Sequence, residues 1–356
     1  MSKKICLLVD SLSSGGAEKL AANTSLLLNK KGYEVYIVTM QNSLGYQYKG
    51  ELYNFGLIKE KNNIFKAFFK FKNFFKIQNF DLVIDHRVRS KYLKEFLFSR
   101  LIFQKELVLY YIHNYDLSYS FSFLNSPKLA IIPHVKQKVF ISVCKEVQEK
   151  LKKDLRIESE VIYNYITEDL LAFQSKRNSL NYIIGVGRLT KIKQFEILIK
   201  SYSESKLPKE NIQLIILGDG DEKVFLEKKI SDFNLKHLIK ISPFKNNPYS
   251  LIQNAKALVL TSKVEGFPMV LLESLALNTP VIAFNCKSGP SEIIKNKING
   301  LLVENQNPEA LTKAINKLML DKFFYQTVKE NSNKGLNKFS EEKFFQKLEN
   351  IFENLI

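Results

Sequence analysis

The chain has 356 residues, of which 45% are hydrophobic and 25% are charged, as is typical of folded globular proteins. These proportions exclude a disordered or collagen-like chain, and the length predicts two domains. Lys and Arg number 53 against 36 Asp and Glu, so the formal net charge of +17 predicts attraction to nucleic acid, an anionic lipid or a phosphorylated substrate.

Short β-branched or aliphatic runs alternate with longer amphipathic stretches along the chain. The first half has predicted strands at residues 5–9, 34–38, 81–84, 107–112, 139–143 and 160–163. A polar stretch at 167–181, interpreted as a linker, precedes predicted strands at 182–186, 213–217, 238–241, 257–260, 281–283 and 300–303. This alternation predicts two doubly wound parallel sheets. Ligands of such sheets bind beyond the carboxyl ends of the strands, which predicts a site in the cleft between the halves.

Cysteine usage and hydropathy indicate a cytoplasmic protein. Cys6, Cys144 and Cys286 are far apart and odd in number, which argues against a disulfide framework and a structural zinc site. The apolar run 5–9 is too short for a signal-peptide core, and no stretch approaches the roughly 18 apolar residues that span a bilayer. We therefore expect that any membrane contact is peripheral.

Residues 64–80 form the most biased segment, which is rich in Phe and carries four Lys and no acidic residue. A helical projection groups its apolar residues on one side: Ile64, Ala67, Phe68, Phe71, Phe74 and Phe75. Either this side packs on the first sheet and the lysines are solvated, or the helix approaches an anionic membrane together with Arg87, Arg89 and Lys91. We favour the membrane interpretation.

Two glycine-containing turns follow predicted strands. Gly15 and Gly16 follow the first strand and open a helix, a pattern shared by phosphate-binding turns and by ordinary turns. Gly187, Arg188 and Lys193 follow the first strand of the second half, where two cations would suit a diphosphate. A solvated basic start of a helix is the alternative interpretation of the second motif.

The strongest motif runs from Glu265 to Glu273, two carboxylates that flank a Gly-Phe-Pro loop entering a helix. Glu273 could accept two ribose hydroxyls, while Glu265 and the N–H groups of residues 266–269 could meet a sugar or phosphate at the start of the helix. The alternative interpretation is that Glu265 is an N-terminal helix cap and Glu273 is a surface acid.

Together these residues resemble the family 4 retaining glycosyltransferases of the GT-B fold, over nearly the whole chain. Further matching segments are Gly218-Asp219-Gly220, Pro280-Val281 and Asn299-Gly300. The resemblance implies an α/β GT-B architecture of two Rossmann-like domains with an interdomain cleft. Residues 1–172 would form the acceptor-side domain, residues 173–341 the nucleotide-sugar domain, and helix 342–356 would pack back on the first domain.

The resemblance also implies roles for individual residues. Arg188 and Lys193 would bind the donor diphosphate, Glu273 the ribose, and Glu265 the donor sugar. His113 matches a family histidine that would donate a hydrogen bond to the sugar, although His86 also follows a strand and the choice is not forced. The implied catalytic residues are His113, Arg188, Lys193 and Glu265. The implied donor-binding residues are Gly15, Gly16, Gly187, Gly218, Asp219, Gly220, Phe244, Gly266, Phe267, Pro268, Met269, Val270 and Glu273.

Three departures from the family pattern and one metal-like motif bear on these expectations. Ser274 stands where the family commonly has Ala. Asn278 replaces a common Gly, and because Asn tolerates left-handed φ we expect the turn to be kept. Ser242-Pro243-Phe244 replaces a more usual Leu-Gly before the base-contacting loop. Asp219-Gly220-Asp221 looks like a metal-binding D-x-D motif but lacks further oxygen ligands, so neither a metal nor another cofactor is expected beside the nucleotide sugar.

The resulting expectation is a retaining, metal-independent glycosyltransferase in lipopolysaccharide or capsule synthesis, bound peripherally to the cytoplasmic face of the inner membrane. It would move a hexose or N-acetylhexosamine from a UDP-sugar to a saccharide or lipid-linked saccharide. One alternative is a nucleic-acid-binding protein, although no helix-turn-helix, zinc or RNA-binding signature appears. Another is a nucleotide-sugar epimerase or phosphorylase on the same fold.

Overall fold

The computed structural model describes residues 3–13, 15–103, 105–176 and 181–355. The chain forms two compact units. The first unit comprises the residues up to Tyr165 together with those from Glu341 onwards, and the second unit comprises Ile166–Ser340. Residues 166–172, which the sequence-based division gave to the first domain, lie in the second unit, where the Ile166 N–H donates to the Phe339 carbonyl.

The first unit is built on one parallel sheet. Its strands are β1 (Lys4–Val9), β2 (Glu34–Thr39), β3 (Glu51–Asn54), β4 (Leu82–Asp85), β5 (Leu107–Ile112), β6 (Lys138–Ser142) and β7 (Glu160–Val161). Their order is β3-β2-β1-β4-β5-β6-β7, so β1, β4 and β5 lie at the centre. The six predicted strands are confirmed, with β7 shorter than expected. Prediction missed β3 because this short edge strand is partly exposed and has no apolar run.

Among the described residues of the first unit, the strands are connected by the α-helices α1 (Gly16–Lys30), α2 (Phe55–Lys61), α3 (Ile64–Gln78), α4 (Tyr92–Leu101), α5 (Pro127–Ile131) and α6 (Lys145–Leu155). Because parallel strands need long crossovers, this order of strands and helices is a doubly wound α/β arrangement.

The second unit repeats the architecture with a six-stranded parallel sheet. Its strands are β8 (Tyr182–Val186), β9 (Gln213–Leu217), β10 (Ile239–Ser242), β11 (Ala257–Leu260), β12 (Val281–Phe284) and β13 (Gly300–Val303), in the order β10-β9-β8-β11-β12-β13. The helices are α7 (Glu168–Leu171), α8 (Phe195–Glu204), α9 (Lys223–Asp232), α10 (Tyr249–Asn254), α11 (Met269–Ala276), α12 (Pro290–Ile293), α13 (Pro308–Leu320) and α14 (Lys322–Glu330). All six predicted strands are confirmed, and their buried aliphatic side chains form the core with α8 and α13.

The stretch 167–181, predicted as a linker, is partly ordered onto the second unit. Thr167 caps α7 by accepting a hydrogen bond from the Leu170 N–H. Farther along, the Ser175 N–H donates to Gln253 Oε1 at 2.7 Å. Residues 177–180 of the predicted linker lie outside the described residues.

The last helix, α15 (Glu341–Leu355), packs within the first unit. The ring centroid of Phe344 lies 4.4 Å from that of Tyr165, and the centroid of Phe352 lies 6.0 Å from that of Tyr33. Lys347 Nζ donates to the Val161 carbonyl at 2.6 Å. Aromatic contacts and this hydrogen bond therefore fix the chain terminus beside the end of α1 and β7.

Helix α3 separates its apolar residues into a buried and an exposed set. Ala67, Phe71 and Phe75 are buried, and Phe71 lies 5.5 Å from Phe98 of α4. A second set on the same helix faces solvent and comprises Ile64, Phe65, Phe69 and Ile77. Packing on the sheet therefore explains only some of the apolar residues of α3.

Arg87 and Arg89 were expected to approach a membrane with α3, and this expectation is wrong. Both are 2% exposed, and the Arg87 guanidinium donates to both Asp85 and Glu95 at 2.9 Å. Because both guanidinium groups are buried inside the unit, they add no positive charge to its surface. Lys91, the third predicted residue, is exposed. No helix in the described ranges is long and apolar enough to cross a membrane.

Candidate active site

Glycine turns at the carboxyl ends of β8 and β9 pack against each other in the second unit. A Cβ atom on Gly218 would overlap the Gly187 carbonyl oxygen, and one on Gly220 would overlap that of Leu189. The Leu189 N–H donates to the Asp219 carbonyl at 2.8 Å. Only glycine permits this approach, so three predicted donor-binding glycines share one backbone surface.

The structure brings Lys193 and Glu265 together, 72 residues apart in sequence. Lys193 Nζ lies 2.5 Å from Glu265 Oε1, and both side chains are mostly buried. The backbone positions them, because the Lys263 N–H donates to the Ile192 carbonyl and the Thr261 hydroxyl donates to that of Lys193. Sequence analysis gave the two residues separate roles and missed this pairing, because no local pattern reports a contact of that separation.

Arg188 differs from Lys193 in having no carboxylate partner among the described residues. It is exposed and follows Gly187 at the end of β8, on the turn that also carries Lys193. The Lys193 charge is partly neutralised by Glu265, whereas the Arg188 charge has no carboxylate beside it among the described residues and is available to an anion.

The loop from Glu265 to Pro268 is held by the segment after β12. The Glu265 N–H donates to the Lys287 carbonyl at 2.8 Å, and the Ser288 hydroxyl donates to the Gly266 carbonyl at 2.6 Å. The two segments also form a parallel bridge between Val264 and Lys287. Backbone hydrogen bonds therefore fix the loop that precedes α11.

Helix α11 begins at Met269, so the N–H groups of Met269 and Val270 have no acceptor within the helix. Pro268 is another of the predicted donor-binding residues, but it has no backbone N–H and so cannot donate a hydrogen bond to a ligand. Phe267 is 7% exposed, and its ring centroid lies 5.6 Å from that of Phe339, so the ring belongs to the packed interior of the unit. Glu273 lies in the second turn of the helix and is 5% exposed.

Asp219 connects the β9 turn to the segment after β10. Its Oδ2 accepts a hydrogen bond from the Phe244 N–H at 2.8 Å, and the Phe244 ring is 40% exposed. This bond indicates a structural role for the Asp219 carboxylate. Among the described residues, no group of three or more His, Cys, Asp or Glu is placed to hold a metal ion. Asn278 has φ 56°, which confirms the left-handed turn expected there.

In the first unit, the predicted residues follow β1 and β5. Gly15 precedes α1 with φ 115°, a conformation that favours glycine, and exposed Gly16 is the first residue of the helix. His113 directly follows β5, and its Nε2 lies 3.0 Å from Nδ1 of His86, which follows β4. Both histidine candidates are thus in one hydrogen-bonded pair.

Sequence analysis missed the buried ion cluster beside these histidines. Asp85, Arg87, Glu95 and Arg89 are all buried, and the Arg89 guanidinium donates to the carbonyls of Asp85, Arg87 and Tyr111. Burial alone would raise the pKa of Asp85, but Arg87 and Arg89 hold it below its usual value. The pattern Asp-His-Arg-Val-Arg, which begins at the last residue of the buried strand β4, was the available signal.

The buried histidines are held neutral. Burial, reinforced by the Arg89 charge, lowers the pKa of His86 to about 3 and that of His134 to about 3. Burial and the neighbouring His86 lower the pKa of His113 well below its ordinary value. These imidazoles act in hydrogen bonding as neutral groups near pH 7.

We expect the free energy of unfolding to fall as the pH is lowered from about 7 to about 4. A histidine whose folded-state pKa is depressed stabilises the fold above its unfolded pKa, and this stabilisation is lost as the pH falls toward the folded value. Each contributes up to about 1.4 kcal/mol per pH unit. Urea unfolding at several pH values measures the slope, which should become shallower in His134→Gln. The exposed His237→Gln is the control, and equal slopes in the two variants would contradict the expectation.

Comparison with known proteins relates the second unit to one sequence family. Residues 167–335 match the family described as Glycosyl transferases group 1. The amylovoran biosynthesis glycosyltransferase AmsD of Erwinia amylovora is 27% identical over 345 residues, which cover 92% of this chain and 95% of the relative. The chain is a family 4-like glycosyltransferase.

A second relative of this glycosyltransferase comes from Campylobacter jejuni. It is N-acetylgalactosamine-N,N'-diacetylbacillosaminyl-diphospho-undecaprenol 4-alpha-N-acetylgalactosaminyltransferase, 26% identical over 337 residues. The match covers 90% of this chain and 91% of the relative. Both relatives therefore extend across nearly the entire glycosyltransferase, beyond the segment that matches the family.

Solved structures share the fold of this glycosyltransferase. Anabaena HepE in complex with UDP and glucose has a TM-score of 0.77 at 18% identity, covering 99% of this chain and 100% of HepE. A mutant of S. aureus TarM in complex with Fondaparinux, alpha-GlcNAc-glycerol and UDP has a TM-score of 0.76 at 16% identity, covering 98% and 99%. These similarities confirm the predicted GT-B fold of two Rossmann-like α/β domains.

Proposed function

We propose that this glycosyltransferase moves a hexose or N-acetylhexosamine from a UDP-sugar to a saccharide or lipid-linked saccharide in bacterial surface polysaccharide synthesis. The observation that carries the proposal is the convergence at one edge of the second sheet. There the glycine turns after β8 and β9, the cations Arg188 and Lys193, and the start of α11 are held by backbone hydrogen bonds. This combination is suited to a nucleoside diphosphate.

The residues of this edge would act on the leaving group. Departure of the nucleoside diphosphate develops negative charge, and fixed cations and N–H groups stabilise such charge best when they need no reorganisation. Arg188 and the first turn of α11 supply these groups, while Lys193 is held in place by Glu265. Because Arg188 and the N–H groups of the first turn of α11 would offset the charge of the diphosphate, we propose that the reaction uses no metal cofactor.

The relatives support the donor and acceptor classes. HepE is solved with UDP and glucose, and the C. jejuni relative is named for transfer to a diphospho-undecaprenol-linked saccharide. That name specifies an α linkage, which is the product expected when an α-linked nucleotide sugar reacts with retention. We infer same-face attack through an ion-pair-like state for this chain. The roles of Gly15, Gly16 and His113 in the first unit stay predictions.

A thermal-shift panel of nucleotide sugars, followed by NMR analysis of products, tests the proposal. We expect UDP-sugars to raise Tm more than GDP- or ADP-sugars, and the transferred sugar to keep its anomeric configuration. Product formation without added acceptor would instead identify an epimerase, since epimerisation needs no acceptor. No stabilisation by any nucleotide sugar would contradict the proposal.

A basic aromatic surface on the first unit supports peripheral binding to an anionic membrane. We define this surface by the exposed residues of α3, which are Ile64, Phe65, Lys66, Phe69, Lys70, Asn73, Lys76 and Ile77. Phe65 is 75% exposed, and Leu93 of the neighbouring α4 is 73% exposed. Large apolar side chains interleaved with lysines, with no acid on α3, complement a bilayer surface that carries anionic headgroups.

We expect the double variant Phe65→Ser/Phe69→Ser to lose most of its sedimentation with liposomes that contain anionic lipid. The substitutions remove the two most exposed rings of α3 and leave the buried Phe71 and Phe75 in place. Phe323→Ser is the matched control, because Phe323 is 84% exposed beside Lys322 in the second unit. Equal sedimentation of all three proteins, or binding to duplex DNA and not to liposomes, would contradict membrane docking.

A further inference from the structure

His86 and His113 share a hydrogen bond at the carboxyl ends of two neighbouring strands of the first sheet. His86 Nδ1 lies 3.0 Å from His113 Nε2, and the two ring centroids are 5.2 Å apart. Tyr111 supports both rings, with its centroid 4.5 Å from that of His86 and 5.6 Å from that of His113. Neighbouring strands β4 and β5 therefore deliver the two imidazoles to one place.

The backbone on both sides of the pair is fixed. The His86 N–H donates to the Leu8 carbonyl of β1 at 2.8 Å. The buried Arg89 guanidinium donates to the Tyr111 carbonyl at 2.7 Å and to the Asp85 carbonyl at 3.1 Å. The positions of the rings are thus set by the sheet and by Arg89. What is left to determine is which of the two ring nitrogens carries the proton of the shared hydrogen bond.

A neutral imidazole has one N–H and one bare nitrogen, so the shared hydrogen bond has two possible arrangements. In the first, His86 donates from Nδ1, His113 accepts at Nε2, and the proton of His113 is on Nδ1. In the second, His113 donates from Nε2, and the proton of His86 must be on Nε2. The environment of His86 Nε2 distinguishes the two.

His86 Nε2 is buried and has no hydrogen-bond partner among the described residues. The second arrangement would leave an N–H there without an acceptor, whereas the first leaves only a bare nitrogen. Orphaned buried N–H groups are rarer than under-satisfied acceptors, which favours the first arrangement. We infer that His86 is a positioning residue that donates from Nδ1 and holds His113 in the tautomer with its proton on Nδ1.

This inference rests on the proposed function and on the predicted role of His113, which is to donate a hydrogen bond to the donor sugar. The shared bond occupies Nε2 of His113, so Nδ1 is the nitrogen left to meet a sugar hydroxyl. With its proton on Nδ1, His113 is a donor at that nitrogen, and in the other tautomer it would be an acceptor. His86 thus decides the hydrogen-bonding character of His113.

NMR of ¹⁵N-histidine-labelled protein reads the tautomers directly. We expect His113 to carry its proton on Nδ1 in the wild type and to shift toward the Nε2–H tautomer in His86→Phe, which keeps a ring but lacks the donor. His86→Asn retains an N–H near the Nδ1 position and should preserve the wild-type tautomer. His134→Gln removes another buried histidine of the same unit and is the control. An Nε2–H tautomer in the wild type, or no change in His86→Phe, would overturn the inference.

Kinetics supply a second readout. His86→Phe should lower kcat about 10- to 100-fold while UDP affinity stays unchanged, and His86→Asn should recover most of the loss. Equal losses in the Asn and Phe variants would overturn the positioning role. Absence of UDP-sugar turnover in the wild type would count against the proposed function, whereas the NMR spectrum would still decide the tautomer. The wild-type spectrum also decides it if His86→Phe does not fold.

Discussion

Replacing Arg188 by alanine is expected to lower kcat for sugar transfer at least about 100-fold, because it removes a fixed charge from the departing diphosphate. Lys193 cannot compensate, since its ammonium is paired with Glu265 at 2.5 Å. Arg188 has no such partner among the described residues, and it directly follows Gly187 at the end of β8, so we expect its guanidinium to contact the phosphates.

Lys191→Ala is the matched control for Arg188→Ala. Lys191 is an exposed cation on the same segment, and it belongs to the short 3-10 turn that also contains Lys193. Initial rates at saturating donor separate the two variants. We expect Lys191→Ala to stay within a few-fold of the wild type, and similar rates for the two variants would contradict a specific role for Arg188.

Replacing Glu273 by glutamine is expected to weaken UDP binding about 10- to 100-fold. A carboxylate that accepts two ribose hydroxyls forms charge-assisted hydrogen bonds, which are worth about 1.5–3 kcal/mol each. Glutamine keeps one oxygen acceptor, so the substitution removes about one such bond. Glu273 is 5% exposed in α11, so the substitution by an amide of the same shape preserves the packing. Calorimetric titration with UDP measures the loss.

Glu227→Gln is the control for this second prediction. Glu227 is an exposed acid of α9 in the same unit, and its loss removes the same formal charge. UDP affinity should therefore be unchanged in Glu227→Gln. An equal loss of affinity in both variants would indicate a long-range charge effect, and no loss in Glu273→Gln would contradict ribose binding.

Hydrophobic patterning predicted most of the fold. Strands such as β1 and β9 are uninterrupted buried runs, because both faces of a parallel sheet are covered, and such runs are visible in the sequence. Strand β3 is partly exposed at the sheet edge and has no such signal. Strand prediction therefore succeeded for the buried strands, and it missed β3 because this edge strand lacks a buried apolar run.

The site was predictable where its chemistry is local. The glycine turn at Gly218 and the loop before α11 are short segments whose spacing is visible in the sequence. The Lys193–Glu265 pair and the His86–His113 contact depend on how separate strands are placed, which spacing does not report. Sequence analysis thus found the residues and missed their partners.

The count of charged residues led to a wrong expectation for two arginines of the first unit. Arg87 and Arg89 contribute to the basic total of the first half, yet both are buried in contact with Asp85. Composition cannot distinguish a buried cation with a carboxylate partner from a solvated one. The exposed positive charge of α3 itself is carried by lysines, among them Lys66 and Lys70.

UDP-sugar turnover by the double variant Arg188→Ala/Glu273→Gln tests the central claim most directly. The wild type should release UDP and give a product with retained anomeric configuration. The double variant should release less than about 1% as much, because it lacks both the leaving-group cation and the ribose ligand. Circular dichroism confirms that the variant is folded. Turnover at the wild-type rate by the folded variant would contradict the assignment of the donor site to this edge of the second unit.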